Sequence, residues 1–244
     1  MEFTNDKLLD GTVLLRQPKQ GYRVAIDPVF LAASVPARPG ERVLDVGAGV
    51  GAAALCLAHR IPGVRVDGIE FQRELTELAR QNATINIQAD RVTFHCGNVV
   101  KPPRSFVPAT YDHVMTNPPF MEQGRATHSS TLSKTLANIE SAADIETWVR
   151  FCATQAVPGG TITFIYNADR LDHLLAAVRA IAGAIVVFPL WPKAGKSAKR
   201  VIVRAQKGIM QPTRLEAGLV LHSPGDGYSK AAEAILRGGA PLEF

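Results

Sequence analysis

No two of the three cysteines, Cys56, Cys96 and Cys152, stand in a Cys-x-x-Cys pair, and their number is odd. That argues against a disulfide framework or a zinc site and fits a reducing cytoplasm. Long apolar runs are missing too. The longest, Ala180 to Pro192, is too short to span a bilayer and carries two prolines. The first six residues are polar and acidic and lead into no apolar stretch, so neither a secretory signal nor a membrane segment is expected. Internal repeats and low-complexity segments are also lacking. With no staple or metal to lean on, the fold has to rest on its core. A chain of 244 residues, 46% hydrophobic and 20% charged, is long enough to build one. One domain is expected, with an extension over residues 1–40, a core over 41–208 and a tail over 209–244.

Acidic residues are lacking in one long stretch. From His173 to Leu215 there are eight Lys or Arg residues and no Asp or Glu, within a chain of net charge +5. Positive charge gathered in this way suits a polyanion, through phosphate contacts and counterion release, although a solubilising face has the same composition.

What is present alternates. Asp27-Pro28 reads as an N-cap with Pro at N1, opening a short helix to about Ser34. Strands are expected at Arg42–Val46, Val64–Ile69, Val92–His95 and Tyr111–Thr116. Helices are expected between them at Val50–Arg60 and Gln72–Asn86. After a Ser/Thr-rich segment, helix Ala142–Val157, strand Thr161–Tyr166 and helix Arg170–Ala182 follow. Two β-branched runs, Ala184–Leu190 and Arg200–Ala205, have no helix between them and should form an antiparallel hairpin at a sheet edge. A strand at Leu219–His222 and a helix from Ser229 to Arg237 close the chain. The expected fold class is α/β: a Rossmann-like methyltransferase sheet of seven mostly parallel strands with helices on both faces.

The first strand runs into Asp45-Val46-Gly47-Ala48-Gly49-Val50-Gly51. A strand, a Gly-x-Gly-x-Gly turn and a helix let the backbone approach a ligand closely. Glu70 ends the second strand, where a carboxylate can take both hydroxyls of a ribose. A dinucleotide site shares this geometry. The spacing here is GxGxG, however, and Asp45 stands two residues before the first glycine, where it would repel a pyrophosphate. The candidate cofactor is therefore S-adenosylmethionine, with Asp45 at its amino-acid end. Ala48, Gly51 and Phe71 complete the turn and the acidic loop, and no metal is expected.

The fourth strand runs into Asn117-Pro118-Pro119-Phe120. An exocyclic amine on a base ring is a poor nucleophile, because its lone pair is delocalised. The Asn117 side-chain oxygen and the Pro118 carbonyl can accept both amino hydrogens, draw the nitrogen toward tetrahedral geometry and aim its lone pair. The prolines stiffen the loop, and Phe120 offers a face for a flipped base. No strong general base is required; orientation and electrostatic placement supply the rate.

These residues together resemble the bacterial valine-tRNA adenine-N6 methyltransferase family, over nearly the whole chain. Gln17 to Leu31, Gly68-Ile69-Glu70 with Ala79-Arg80-Gln81-Asn82, Asn117 to Phe120, and Leu221-His222 with Gly227-Tyr228 carry the likeness. The resemblance implies methylation of adenine N6 in tRNA, next to the anticodon. It also implies that Tyr22 to Asp27 lines the methionine end of the cofactor pocket; a helix-capping role for Asp27 is the plainer alternative. Methyltransferases of this class often have an aspartate after the third strand to accept from the cofactor's adenine. Asn98 stands there instead, keeping the acceptor and losing the charge. Arg125, His128 and Lys134 after the motif, and Lys193, Lys196, Lys199 and Arg200 in the hairpin loop, are candidate RNA contacts. The rival readings are guanine-N2 methylation of ribosomal RNA, glutamine-N5 methylation of a protein, and a catalytically silent RNA-binding scaffold.

Overall fold

The computed structural model describes residues 2–20, 23–119, 145–225 and 227–244. Tyr22, Phe120, Arg125, His128 and Lys134 lie outside the described residues.

The chain enters its main sheet at β3 (Arg42–Val46), which is buried at four of five positions, as a strand covered on both faces should be. It steps outward through α2 (Ala52–Arg60), β4 (Arg65–Glu70), α3 (Arg73–Ile85) and β5 (Val92–Cys96), then returns to the other side of β3 as β6 (Tyr111–Thr116). Next come α4 (Ile145–Gln155), β7 (Ala156–Asn167), α5 (Leu171–Arg179), β8 (Ala182–Trp191) and β9 (Arg200–Lys207). The order across the sheet is β5–β4–β3–β6–β7–β9–β8, with β9 antiparallel to both neighbours and the other pairings parallel. This is the expected Rossmann-like methyltransferase arrangement. The strand order reverses between β3 and β6, and ligands of open α/β sheets bind in the crevice beyond such a switch point.

Two details go beyond the expectation. The β8–β9 hairpin forms at this edge of the sheet as expected; the detail added is its order, with β9 beside β7 and β8 outside it. The outer side of β8 is also not bare. Two-residue strands β10 (Arg214–Leu215) and β11 (Leu219–Val220) pair with it in parallel, bringing the sheet to nine strands among the described residues. Short pieces of this kind blunt an edge that would otherwise invite another chain.

Apolar side chains fill both faces. Phe30, Leu55, Leu57 and Phe94 pack on one side, beneath α1 (Asp27–Ser34), α2 and α3. Trp148, Phe151, Phe164 and Leu174 pack on the other, beneath α4 and α5. The C-terminal segment returns to the first face through α6 (Lys230–Leu236), capped by Ser229, whose hydroxyl accepts from the Ala232 amide at 3.2 Å. The Leu242 amide donates to the Ala33 carbonyl at 2.9 Å, and the Arg204 guanidinium lies 4.2 Å over the Phe244 ring.

The N-terminal extension folds as an antiparallel hairpin, β1 (Phe3–Leu8) with β2 (Val13–Pro18), separate from the main sheet. Two asparagines one helical turn apart on α3 dock it. The Asn82 Oδ1 accepts from the Arg16 amide at 2.8 Å, and its Nδ2 donates to the Arg16 and Val50 carbonyls, each at 2.9 Å. Asn86 does the same for the Leu14 amide and carbonyl, at 2.8 and 2.7 Å. Each side-chain amide thus stands in for the missing backbone partner of an edge strand. Asn82 is fully buried and reaches from the hairpin to the glycine turn. Replacing it with alanine strands those groups, and the chain should lose about 2–4 kcal/mol in urea unfolding. A loss within about 0.5 kcal/mol, the usual surface value, would contradict that bridging role.

Candidate active site

The glycine turn lies at the switch point. The Gly47 and Ala48 amides both donate to the Ile69 carbonyl, at 2.9 and 3.1 Å, which folds the turn against the end of β4. Gly51, the N-cap of α2, has φ +86°, and a Cβ there would sit 2.5 Å from the Phe94 ring. Only glycine meets both demands. A Cβ on Gly47 would meet the Trp148 ring at 3.0 Å, whereas one on Gly49 would meet nothing within 4 Å. The turn is packed from below and open above Gly49.

Two carboxylates flank it. Glu70 is buried, with one oxygen accepting from the Gly49 amide at 2.9 Å and the other from the Gln72 amide at 2.8 Å. These bonds fix the Glu70 carboxylate against the turn. Asp45 is only 2% exposed, and its Oδ2 has no hydrogen-bond partner among the described residues. Burial raises its pKa to about 7; the Ala54 amide in the first turn of α2 works against this, and the Glu70 charge adds to it. An unpaired buried carboxylate beside an open turn is a cost that a cationic ligand would relieve.

The Asn117-Pro118-Pro119 segment lies directly alongside. Val46 pairs with Thr116 across β3 and β6, so Gly47 and Asn117 leave neighbouring strands at the same level. Asn117 is half-buried, and its Oδ1 also lacks a partner among the described residues; Pro118 is buried and Pro119 half-buried. Beneath them, the Trp148 Nε1 donates to the Thr116 hydroxyl at 2.8 Å, which donates to the Val46 carbonyl at 2.7 Å. This buried chain ties α4, the start of the Asn117 loop and the glycine turn together. Thr116→Val keeps the shape and leaves the Trp148 N–H without its acceptor. It should lower stability by about 2 kcal/mol in denaturant unfolding. It should also slow methyl transfer, because Asn117 is the next residue. Parent-like stability and rate in that variant would show that the chain positions nothing.

The Methyltransferase small domain family matches residues 24–144, a span that contains the glycine turn, Glu70 and Asn117. The chain is a methyltransferase. Relatives agree along most of the methyltransferase's length. A tRNA1(Val) (adenine(37)-N6)-methyltransferase of Aeromonas hydrophila is 28% identical over 85% of each chain. One of Porphyromonas gingivalis is 28% identical over 84% of this chain and 83% of its own. Among solved structures, a predicted O-methyltransferase of Agrobacterium tumefaciens has a TM-score of 0.74 at 23% identity, covering 88% of this chain and 98% of that one. TrmN from Thermus thermophilus has a TM-score of 0.51 at 21% identity, covering 71% of this chain and 46% of that one. These two likenesses speak for the fold.

Asp45, Gly47, Ala48, Gly49, Gly51, Glu70, Asn117 and Pro118 gather at the switch point of the methyltransferase, with Phe71 following Glu70 out of β4. Three other expected residues have protein partners of their own, and one capping role changes. Asp27 is not an N-cap: Ile26 holds that position, and Asp27 and Pro28 lie inside the first turn of α1. The Asp27 carboxylate accepts instead from Arg200 Nε at 2.8 Å, and Arg200 also donates to Asn167 Oδ1 at 2.6 Å. Asp27 and Arg200, expected at the cofactor and at RNA respectively, thus form an ion pair with each other. Asn98 Oδ1 accepts from the Val100 amide at 2.8 Å, which turns it to holding its own loop. Thr116 and Trp148 are site residues that sequence reasoning missed. The threonine had one available signal, its place immediately before Asn117; the tryptophan, 32 residues further on, had none.

Proposed function

We propose that this methyltransferase transfers a methyl group from S-adenosylmethionine to the N6 amino group of an adenine in tRNA, in the cytoplasm, at the nucleotide next to the anticodon of a valine tRNA. The observation that carries the reading is the adjacency of Gly47 and Asn117 beyond the paired ends of β3 and β6, where Asp45 Oδ2 and Asn117 Oδ1 are acceptors without a partner among the described residues. The substrate follows the names of the relatives.

The residues present fit the cofactor. Asp45 Oδ2 suits its ammonium, the space above Gly49 admits its body, and the Glu70 carboxylate at the end of β4 suits ribose hydroxyls. When bound, it supplies an electrophilic methyl on a sulfonium. Asn117 Oδ1 and the Pro118 carbonyl accept the two amino hydrogens of the target base and hold its nitrogen lone pair in line. The amine becomes acidic only as the new N–C bond forms, so these acceptors stabilise the charge that develops on it. Positioning, not proton removal beforehand, carries the rate.

The test is methyl transfer from labelled S-adenosylmethionine to tRNA lacking its modifications, beside ribosomal RNA and a release factor, followed by digestion to nucleosides. Label recovered as N6-methyladenosine in tRNA is the expected result. Label found instead in ribosomal RNA or in protein would overturn the substrate, and label in none of them would overturn the activity.

A further inference from the structure

The loop from Pro192 to Lys199 leaves β8 and enters β9 on the catalytic edge of the sheet. The register requires it: Arg200 pairs with Asn167 at the end of β7, and β7 runs parallel to β6, whose end carries Asn117. Lys193, Lys196 and Lys199 are exposed there, and none forms an ion pair among the described residues.

The C-terminal segment runs along the start of this loop. The Leu221 amide donates to the Trp191 carbonyl at 2.7 Å, and the His222 amide to the Pro192 carbonyl at 3.1 Å. The chain then doubles back. His222 and Tyr228 face each other across an antiparallel bridge, closed by the Ser223 amide on the Gly227 carbonyl at 3.0 Å and the Ser229 amide on the Leu221 carbonyl at 2.8 Å. Their rings stack with centroids 4.7 Å apart and planes 20° from parallel. Both residues are half-buried, and Tyr228 also packs against the apolar core. A rigid aromatic pair therefore borders an unpaired cationic loop, on the edge where the substrate has to approach.

We propose that the His222–Tyr228 pair and the three lysines form one platform for a single-stranded RNA segment flanking the target adenine, a site that rests on the RNA reading above. The lysines take backbone phosphates. The ring pair takes an unpaired base by stacking, a contact every base can make because every base has a π-face. Its pre-stacked geometry, held by backbone hydrogen bonds, leaves little side-chain freedom to be lost on binding. None of these residues touches the reacting atoms; they set where the RNA lies.

The experiment measures anisotropy of a labelled, unmodified valine-tRNA transcript against the full chain over a range of salt. His222→Leu and the triple variant Lys193→Gln, Lys196→Gln, Lys199→Gln are compared with the parent. His222→Leu should bind about tenfold more weakly with the same salt dependence, since stacking releases no counterions. The triple variant should flatten the slope of log affinity against log salt by about two. A fluorescent base analogue beside the target adenine should be quenched by the parent and not by His222→Leu. The lysines are exposed, so that variant keeps the fold even where the histidine variant unfolds. If the parent methylates tRNA and both variants bind it within about twofold of the parent, with the parent's salt slope, the platform is refuted and the RNA reading stands. A parent that neither binds nor methylates tRNA refutes both.

Discussion

Replacing Asn117 with alanine lowers the rate of methyl transfer by about a thousandfold, while the cofactor binds within about twofold of the parent affinity. The expectation rests on where the Asn117 oxygen lies. It is buried, it has no partner among the described residues, and the next strand at the same level carries the glycine turn. A polar atom left unsatisfied in that position is a cost in the free protein, and such costs cluster where a ligand removes them. Without this oxygen the target amine keeps its lone pair in the ring and loses its alignment with the donor. The cofactor, held by Asp45, the turn and Glu70, should not register the change. Asn117→Asp, which retains an acceptor, should fall between the two. Single-turnover methyl transfer and calorimetric titration of the cofactor check both halves. A parent-like rate in Asn117→Ala would remove the motif from the mechanism.

The parts of the site that could be read from the chain are those whose chemistry is local. The strand, the three glycines and the helix after Asp45 are contiguous, and their spacing alone demands a close approach of backbone to ligand. Asn117-Pro118-Pro119 is legible for the same reason. Contacts between distant residues were not. The docking of the N-terminal hairpin depends on Asn82 and Asn86, 66 and 72 residues from the backbone groups they bind. The strand β1 reads Thr4-Asn5-Asp6-Lys7, with no apolar alternation to announce it. Asp27 and Arg200 were each visible as charges near the site. That they neutralise each other across 173 residues follows only from the fold.

Cofactor affinity should rise with pH between about 5.5 and 7 and level off above, and Asp45→Asn should abolish that dependence while weakening binding about a hundredfold. Burial is the main cause of the raised Asp45 pKa, about 7, and the neighbouring Glu70 charge adds to it. Below that value the free protein holds Asp45 protonated, and a cationic ligand has to expel the proton before it can pair with the carboxylate. Above it the carboxylate is ready. The same shift has a consequence for stability, with the sign reversed. The folded-state pKa lies above the ordinary carboxylate value of 3.8, so the folded chain binds the extra proton between the two values. Its contribution to the unliganded fold is complete at pH below about 4 and is lost as pH rises through about 7, a change on the order of a few kcal/mol. Asp45→Asn, with no proton to lose, should keep its unliganded stability over that range even as it loses the cofactor. Calorimetric titration and urea unfolding at a series of pH values separate the two effects. A cofactor affinity flat from pH 5.5 to 8, or an asparagine variant that binds like the parent, would mean that Asp45 does not meet the ligand. The opposed pair, a fold that would be firmer without the charge and a ligand that requires it, is what a buried binding carboxylate should produce.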